Sequence, residues 1–186
     1  DAAVQAALAK VEDSTTIYLD AKEYTIEMYT NFAEKESLTI IGTEGTKVKF
    51  ANQQVRLQLA KNFTIKNCEI LHMATKNWGM LVFGGRNSGA VNCTVSNCSF
   101  KGVGTQGIYI NENISGAVYN IENCTFDGDF GSADGAVTIQ NNHGVDFTVN
   151  VTGCRFNTDS NEICYLYNDP AFTLNTDSTV APVCLN

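Results

Sequence analysis

Seven cysteines and a set of clustered carboxylates are the residues of this sequence best equipped for chemistry. Four of the cysteines, Cys68, Cys98, Cys124 and Cys154, stand in near copies of one phrase: IKNCEI, VSNCSF, IENCTF and VTGCRF. Such thiols can ligate a metal, pair as disulfides or simply pack. A structural zinc site wants clustered pairs such as C-x2-C whose ligands converge on one point, whereas these cysteines follow one another at intervals of 30, 26 and 30 residues. Cysteine also behaves as a small, readily buried hydrophobe. The expectation is an inward-facing thiol column, with disulfides between stacked neighbours as the alternative. Cys93 is expected in a strand, facing inward. Cys164 and Cys184 are the pair best placed for a disulfide. The odd total argues against a complete disulfide framework.

The carboxylates gather in the stretches that follow each phrase. Asp127, Asp129 and Asp134 lie in DGDFGSAD, and Asp159 lies in NTDSNE. Stacked together, these stretches would bring the acids close to Lys101 and Trp78. Two carboxylates on a tight turn offer oxygen ligands suited to Ca²⁺, so Asp127 and Asp129 form a candidate calcium site. An exposed Trp78 would stack on a pyranose face, making Trp78, Lys101, Asp127, Asp129, Asp134 and Asp159 a candidate ligand-binding set. The competing explanation is that an acidic protein collects carboxylates in polar turns, and it is the stronger of the two. The only histidines, His72 and His143, fall in different loop columns, and no nucleophile–histidine relay can be built from them. No catalytic residue is assigned.

The elements that must position these groups emerge from the repeats. Aligning the phrases produces an apolar column of Ile40, Ile65, Val95, Ile121 and Val151. Two residues later comes Gly42, Asn67, Asn97, Asn123 and Gly153, and next Thr43 followed by the four cysteines. A large apolar residue follows at Ile70, Phe100, Phe126 and Phe156, with Gly45 in the first copy. Only glycine, and after it asparagine, enters the left-handed backbone region cheaply. That column therefore predicts one sharp bend per repeat between two strands. A second ladder, with Gly79, Gly107, Gly135 and Ile163 at its start, supplies a third short strand at steps of 28 residues.

Three strands per repeat of about 28 residues predict a parallel β-helix, whose coils stack at about 4.8 Å. The fold class is all-β: a single domain over residues 1–186, of about six coils. Residues 1–12 are expected to form a short capping helix, with Asp1 as its cap and Val4, Leu8 and Val11 on one face. The coils occupy 15–170, and 171–186 hold the last strand and a C-terminal cap.

Composition narrows the partners. Hydrophobic residues make up 44% and charged residues 17%, with a net charge of −8. The twelve basic residues are scattered, so the patch that nucleic acid or an anionic membrane requires is missing. No apolar run approaches the roughly 20 residues of a membrane span. The opening DAAVQAALAK lacks the apolar stretch of a signal peptide and reads as a mature terminus or a boundary.

A helix, then TIYLDAKEYTI, SLTIIGTEGTKV and repeated NCxF coils: this series resembles the pectate-lyase-like right-handed parallel β-helix superfamily across essentially the whole chain. The resemblance implies architecture more than activity, because that fold hosts lyases, hydrolases, adhesins and structural modules. The hydrolase signatures of that superfamily run NTD, DD, GHG, RIK. Here NTD occurs at 157–159 and 175–177 and NHG at 142–144, in the wrong order and without DD or RIK. The expectation is an extracellular or cell-surface module without a catalytic site that binds polysaccharide, adheres, or self-associates through its coil ends. The alternative is a Ca²⁺-dependent polysaccharide lyase. No cofactor beyond a candidate Ca²⁺ is expected.

Overall fold

Short segments rich in β-branched and aromatic residues, alternating apolar with polar, make strands that bury one face. In the computed structural model such segments wind into a parallel β-solenoid. The structure describes residues 2–26, 30–50, 57–72, 79–84, 91–103, 106–112, 114–130, 135–141, 143–158, 161–166, 172–177 and 182–185. A helix, α1 (Ala2–Leu8), opens the chain, and Leu8 and Val11 are buried in the same apolar cluster as the solenoid core. Strands follow in threes: β1 (Ser14–Leu19), β2 (Glu23–Ile26) and β3 (Thr30–Asn31), then β4 (Ser37–Gly42), β5 (Lys47–Phe50) and β6 (Leu57–Gln58). The next coils are β7 (Asn62–Lys66), β8 (Glu69–His72), β9 (Leu81–Gly84), and β10 (Asn92–Ser96), β11 (Ser99–Val103), β12 (Ile108–Asn111). Two more are β13 (Ala117–Glu122), β14 (Thr125–Asp129), β15 (Gly135–Gln140), and β16 (Phe147–Thr152), β17 (Arg155–Asn157), β18 (Asn161–Leu166). The chain closes with β19 (Thr173–Thr176) and β20 (Pro182–Leu185).

Every third strand pairs with the last of its kind, all in parallel, giving three sheets of seven, six and seven strands. Sheet A begins with β1, sheet B with β2 and sheet C with β3. The solenoid has about five full turns, slightly fewer than the six expected. The shortfall lies at the ends: β3 has two residues, and the winding that carries β19 and β20 has no described strand in sheet B.

Register confirms the apolar column, with Ile40, Ile65, Val95, Ile121 and Val151 paired rung to rung. The second ladder is offset from expectation. Gly107 stands one residue before Ile108, which pairs with Leu81 and Val137, and Gly135 pairs with Asn161. Gly107 is therefore level with neither Gly79 nor Gly135, because loops of unequal length hide the register behind an even spacing of 28. Inside the coil, Phe100 and Phe126 stack at 4.8 Å and Phe126 and Phe156 at 4.9 Å, all nearly parallel. Tyr119, inside the core, donates its hydroxyl proton to the fully buried Glu112 carboxylate, which also accepts from the Ile114 N–H.

Candidate functional site

The corner between sheets A and B is where the recurring phrase sits, and its conformation follows from residue type. Asn67, Asn97 and Asn123 have φ of 61°, 51° and 52°, and Gly153 has 63°. Each turns the chain through the left-handed region in a single residue, so the cysteine follows at once and the sheet B strand begins one residue later. The first copy differs. Gly42 lacks a positive φ, and Gly45 has φ 88°. Three extra residues, Thr43 to Gly45, make the bend there, and Thr46 takes the cysteine's place. Its carbonyl accepts from Glu69 N–H as those of Cys68, Cys98 and Cys124 accept from Ser99, Thr125 and Arg155. Val48, not Gly45, is level with Ile70. Gly42 is still required, for another reason: a Cβ there would lie 2.4 Å from the Asn67 carbonyl oxygen.

Cys68, Cys98, Cys124 and Cys154 form one column, all buried and all free thiols. Cys98, Cys124 and Cys154 donate across the coil boundary to the Ile65, Val95 and Ile121 carbonyls at 3.8, 3.5 and 3.5 Å. Each also reaches a carbonyl two residues back, at Ser96, Glu122 and Thr152. Burial, with the neighbouring Cys98 adding to it, pushes the Cys68 thiol up to about 12. Hydrogen bonds to Cys154 and Cys98, then burial, push Cys124 up as well. The same hydrogen bonds to Cys124 pull Cys98 and Cys154 below the ordinary thiol value. Only Cys68 and Cys124 of this column are therefore held as protonated thiols, which are poor nucleophiles and poor ligands. Cys93 is buried and free. The disulfide expected between Cys164 and Cys184 is not formed: Cys164 is a buried free thiol, and β20 sets Val183 beside it and Cys184 beside Tyr165.

Along the outside of this corner runs a groove of about 490 Å³, lined among others by Asn67, Asn97, Asn123, Ser99, Thr125 and Glu69. The three asparagines are exposed at successive rungs. Their backbone N–H groups are spent on the next coil, donating to Ser96, Glu122 and Thr152 carbonyls. Their side-chain amides make no hydrogen bond among the described residues. Each amide offers two donors and an acceptor. Glu69 sits at the groove edge between two lysines, 3.5 Å from Lys47 Nζ and 3.2 Å from Lys101 Nζ. The result is a polar channel, parallel to the solenoid axis, whose lining cation, Lys47, is paired with a carboxylate.

The expected acidic site is brought together only in part. Lys101 and Asp127 are level on adjacent strands of sheet B, both exposed, and Asp127 is level with Asn157 on its other side. Asp127 and Asp129 lie in β14 rather than on a tight turn, with Asp129 level with Val103. Gly128 between them has φ 111° and is level with Gly102 in the ladder, where a Cβ would lie 2.5 Å from the Gly102 carbonyl oxygen, so the strand continues where a turn was expected. Two carboxylates of one strand supply part of the six to eight oxygens that Ca²⁺ takes. Among the described residues, no group of three or more His, Cys, Asp or Glu is arranged to hold a metal ion. Trp78, Asp134 and Asp159 lie outside the described residues. Tyr109, on the outer face of sheet C, is buried and donates to Gln140.

Sequence reasoning treated Asn67, Asn97 and Asn123 as bends alone and passed over Ser99, Thr125, Lys47 and Glu69. The signal was present: each stands directly after the thiol column or Thr46, at a position that alternation turns outward. Among the described residues no helix is long and apolar enough to cross a membrane. No family model matches the chain, and no curated protein or solved structure matches it either.

Proposed function

We propose that the chain is a non-catalytic carbohydrate-binding module of an extracellular or cell-surface protein, and that the axial groove holds an extended glycan. The observation that carries this reading is the row of amides at Asn67, Asn97 and Asn123, which make no hydrogen bond among the described residues and repeat at the solenoid rise of about 4.8 Å. Sugar hydroxyls need donors and acceptors together, and a primary amide provides both. The left-handed bends fix the backbone beneath each amide, so less freedom is lost on binding. The coil is right-handed, in keeping with the strong general preference for that sense in parallel crossovers. It belongs with the pectate-lyase-like superfamily, and α1 serves as its N-terminal cap.

The test is calorimetric titration of the whole chain with soluble neutral and acidic polysaccharides, alongside the triple variant Asn67→Gly, Asn97→Gly, Asn123→Gly. Glycine keeps the bends and deletes the amides. Binding by the native chain that the triple variant loses, with an unchanged circular dichroism spectrum, is the expected result. Equal binding by both proteins removes the groove from the account. Ca²⁺-dependent appearance of unsaturated product from polygalacturonate or alginate replaces the binding-module reading with a lyase.

A further inference from the structure

The outer face of sheet A adjoins the groove and differs from the outer face of sheet B. Its central column runs Thr16, Thr39, Thr64 and Thr94 and continues as Asn120, Asn150 and Asn175, one residue per rung. The amides are locked to one another: Asn150 Nδ2 donates to Asn120 Oδ1, and Asn175 Nδ2 to Asn150 Oδ1, both at 2.8 Å. The column two residues earlier starts Ser14, Ser37, Asn62, Asn92 and ends Val118, Thr148, Thr173. Neither column contains a charged residue.

Sheet B presents Glu23, Lys47, Glu69 and Arg155 in one outward column, with Ser99 and Thr125 between the last two, and Lys49, Lys101 and Asp127 in the next, alongside Thr25, Leu71 and Asn157. The two faces share one chain, one solvent and one strand geometry, so strand propensity explains the threonines of sheet A but not the lack of charge in these two columns. Charge returns at its borders, with Glu36 and Lys61 paired at 3.3 Å on one side and Lys66 and Glu122 on the side facing the groove. At the first rung, two residues beyond Thr16, Tyr18 is 75% exposed, and among the described residues the next most exposed large apolar residue, Ile114, reaches 37%.

We infer that sheet A docks the flat surface of an ordered, neutral polysaccharide, in which parallel chains are packed side by side. This rests on the glycan reading of the adjoining groove and specifies the physical form of the ligand. The hydroxyls and amides repeat at about 4.8 Å across the strands and about 6.6 Å along them, a two-dimensional grid that a single flexible chain cannot meet simultaneously. Strand backbone and amide ladder hold that grid in place before binding, which lowers the ordering cost. A polyanion would require cations, and these columns have none. A protein partner would require a desolvated apolar or aromatic centre, and one tyrosine at the edge does not make one. A tyrosine ring at the rim suits stacking on a sugar face.

The experiment is co-sedimentation of the whole chain with microcrystalline cellulose and chitin powders, with amorphous cellulose as the disordered control of the same chemistry. Titration with soluble neutral glycans runs in parallel. The face variant is Thr64→Glu with Thr94→Glu, both at half-exposed strand positions; the groove variant is the triple asparagine-to-glycine chain. The expected result is retention on the crystalline solids exceeding that on the amorphous one, reduced about tenfold by the face variant. Soluble glycan binding survives in the face variant and fails in the groove variant. Soluble binding without preference for crystalline solids overturns the sheet A proposal and leaves the groove standing. Binding to neither overturns both. Crystalline binding that the face variant retains, or a face-dependent dimer or ice-growth inhibition in place of solid binding, also overturns the proposal.

Discussion

The Phe126 ring lies 4.9 Å from that of Phe156, with the two planes 6° apart. Phe100 flanks Phe126 on the other side, and Phe126 is fully buried, so it is the middle member of a stack crossing three coils. Replacing it with alanine removes both stacked contacts and the edge contact with Phe130, and leaves a void that rigid neighbouring rungs cannot close. Phe126→Ala is expected to cost about 3–5 kcal/mol, measured from the shift in urea midpoint. A loss under about 1 kcal/mol would mean that the stack contributes little beyond shape.

The bends supply a second prediction. At φ 52°, Asn123 occupies a region that alanine enters at a cost of about 1–2 kcal/mol and glycine enters freely. Asn123→Gly should leave stability within about 0.5 kcal/mol of the parent, while Asn123→Ala lowers it by the larger amount. The order of the two unfolding midpoints decides the matter, and alanine equal to glycine would contradict it.

Two glycines separate steric from conformational demand. At Gly42 a Cβ would meet the Asn67 carbonyl oxygen at 2.4 Å, and that oxygen belongs to backbone unable to swing away. At Gly116 a Cβ meets nothing within 4 Å, though φ is 85°. Gly42→Ala should cost about 3 kcal/mol from overpacking and Gly116→Ala about 1 kcal/mol from backbone strain alone. Parallel thermal melts of the two variants check the order.

Buried thiols give the protein an alkaline limit. The Cys68 thiol is pushed from an ordinary 9.0 up to about 12 by burial, so the folded chain retains a proton that the unfolded chain gives up. Its contribution is intact below about pH 9 and is lost as pH climbs toward 12. Burial pushes Cys93 upward as well. Urea midpoints should fall across this window, and more gently in Cys68→Ala, whose slope lacks that proton. A parent midpoint that stays level through the window would sink the prediction.

The fold was legible where residue type reports backbone conformation directly. Asn67, Asn97 and Asn123 could be read as bends because few other residues tolerate that region. The same logic misplaced the first bend at Gly42, since a three-residue insertion before Thr46 moved the left-handed position to Gly45. Glycine is demanded at both, once by φ and once by contact, and sequence alone does not distinguish the two demands. The offset of Gly107 was hidden for a related reason: equal spacing in sequence measures loop length plus strand length, whereas register measures strands alone. Asp127 and Asp129 suggested a turn because Asp-Gly usually marks one, yet Gly128 approaches Gly102 closely enough to keep β14 in the sheet. The groove was the least visible feature. It arises from residues 25–30 positions apart in sequence and becomes a surface only once the rungs are in register.

Because each strand pairs only with the strands one coil before and after it, no rung depends on a distant one for its hydrogen bonds. A duplicated segment of 25–30 residues could therefore be inherited as one more rung, lengthening groove and face together by about 4.8 Å. In such a lineage the reach of the binding surface would be set by copy number, and point substitutions would be left to tune its chemistry.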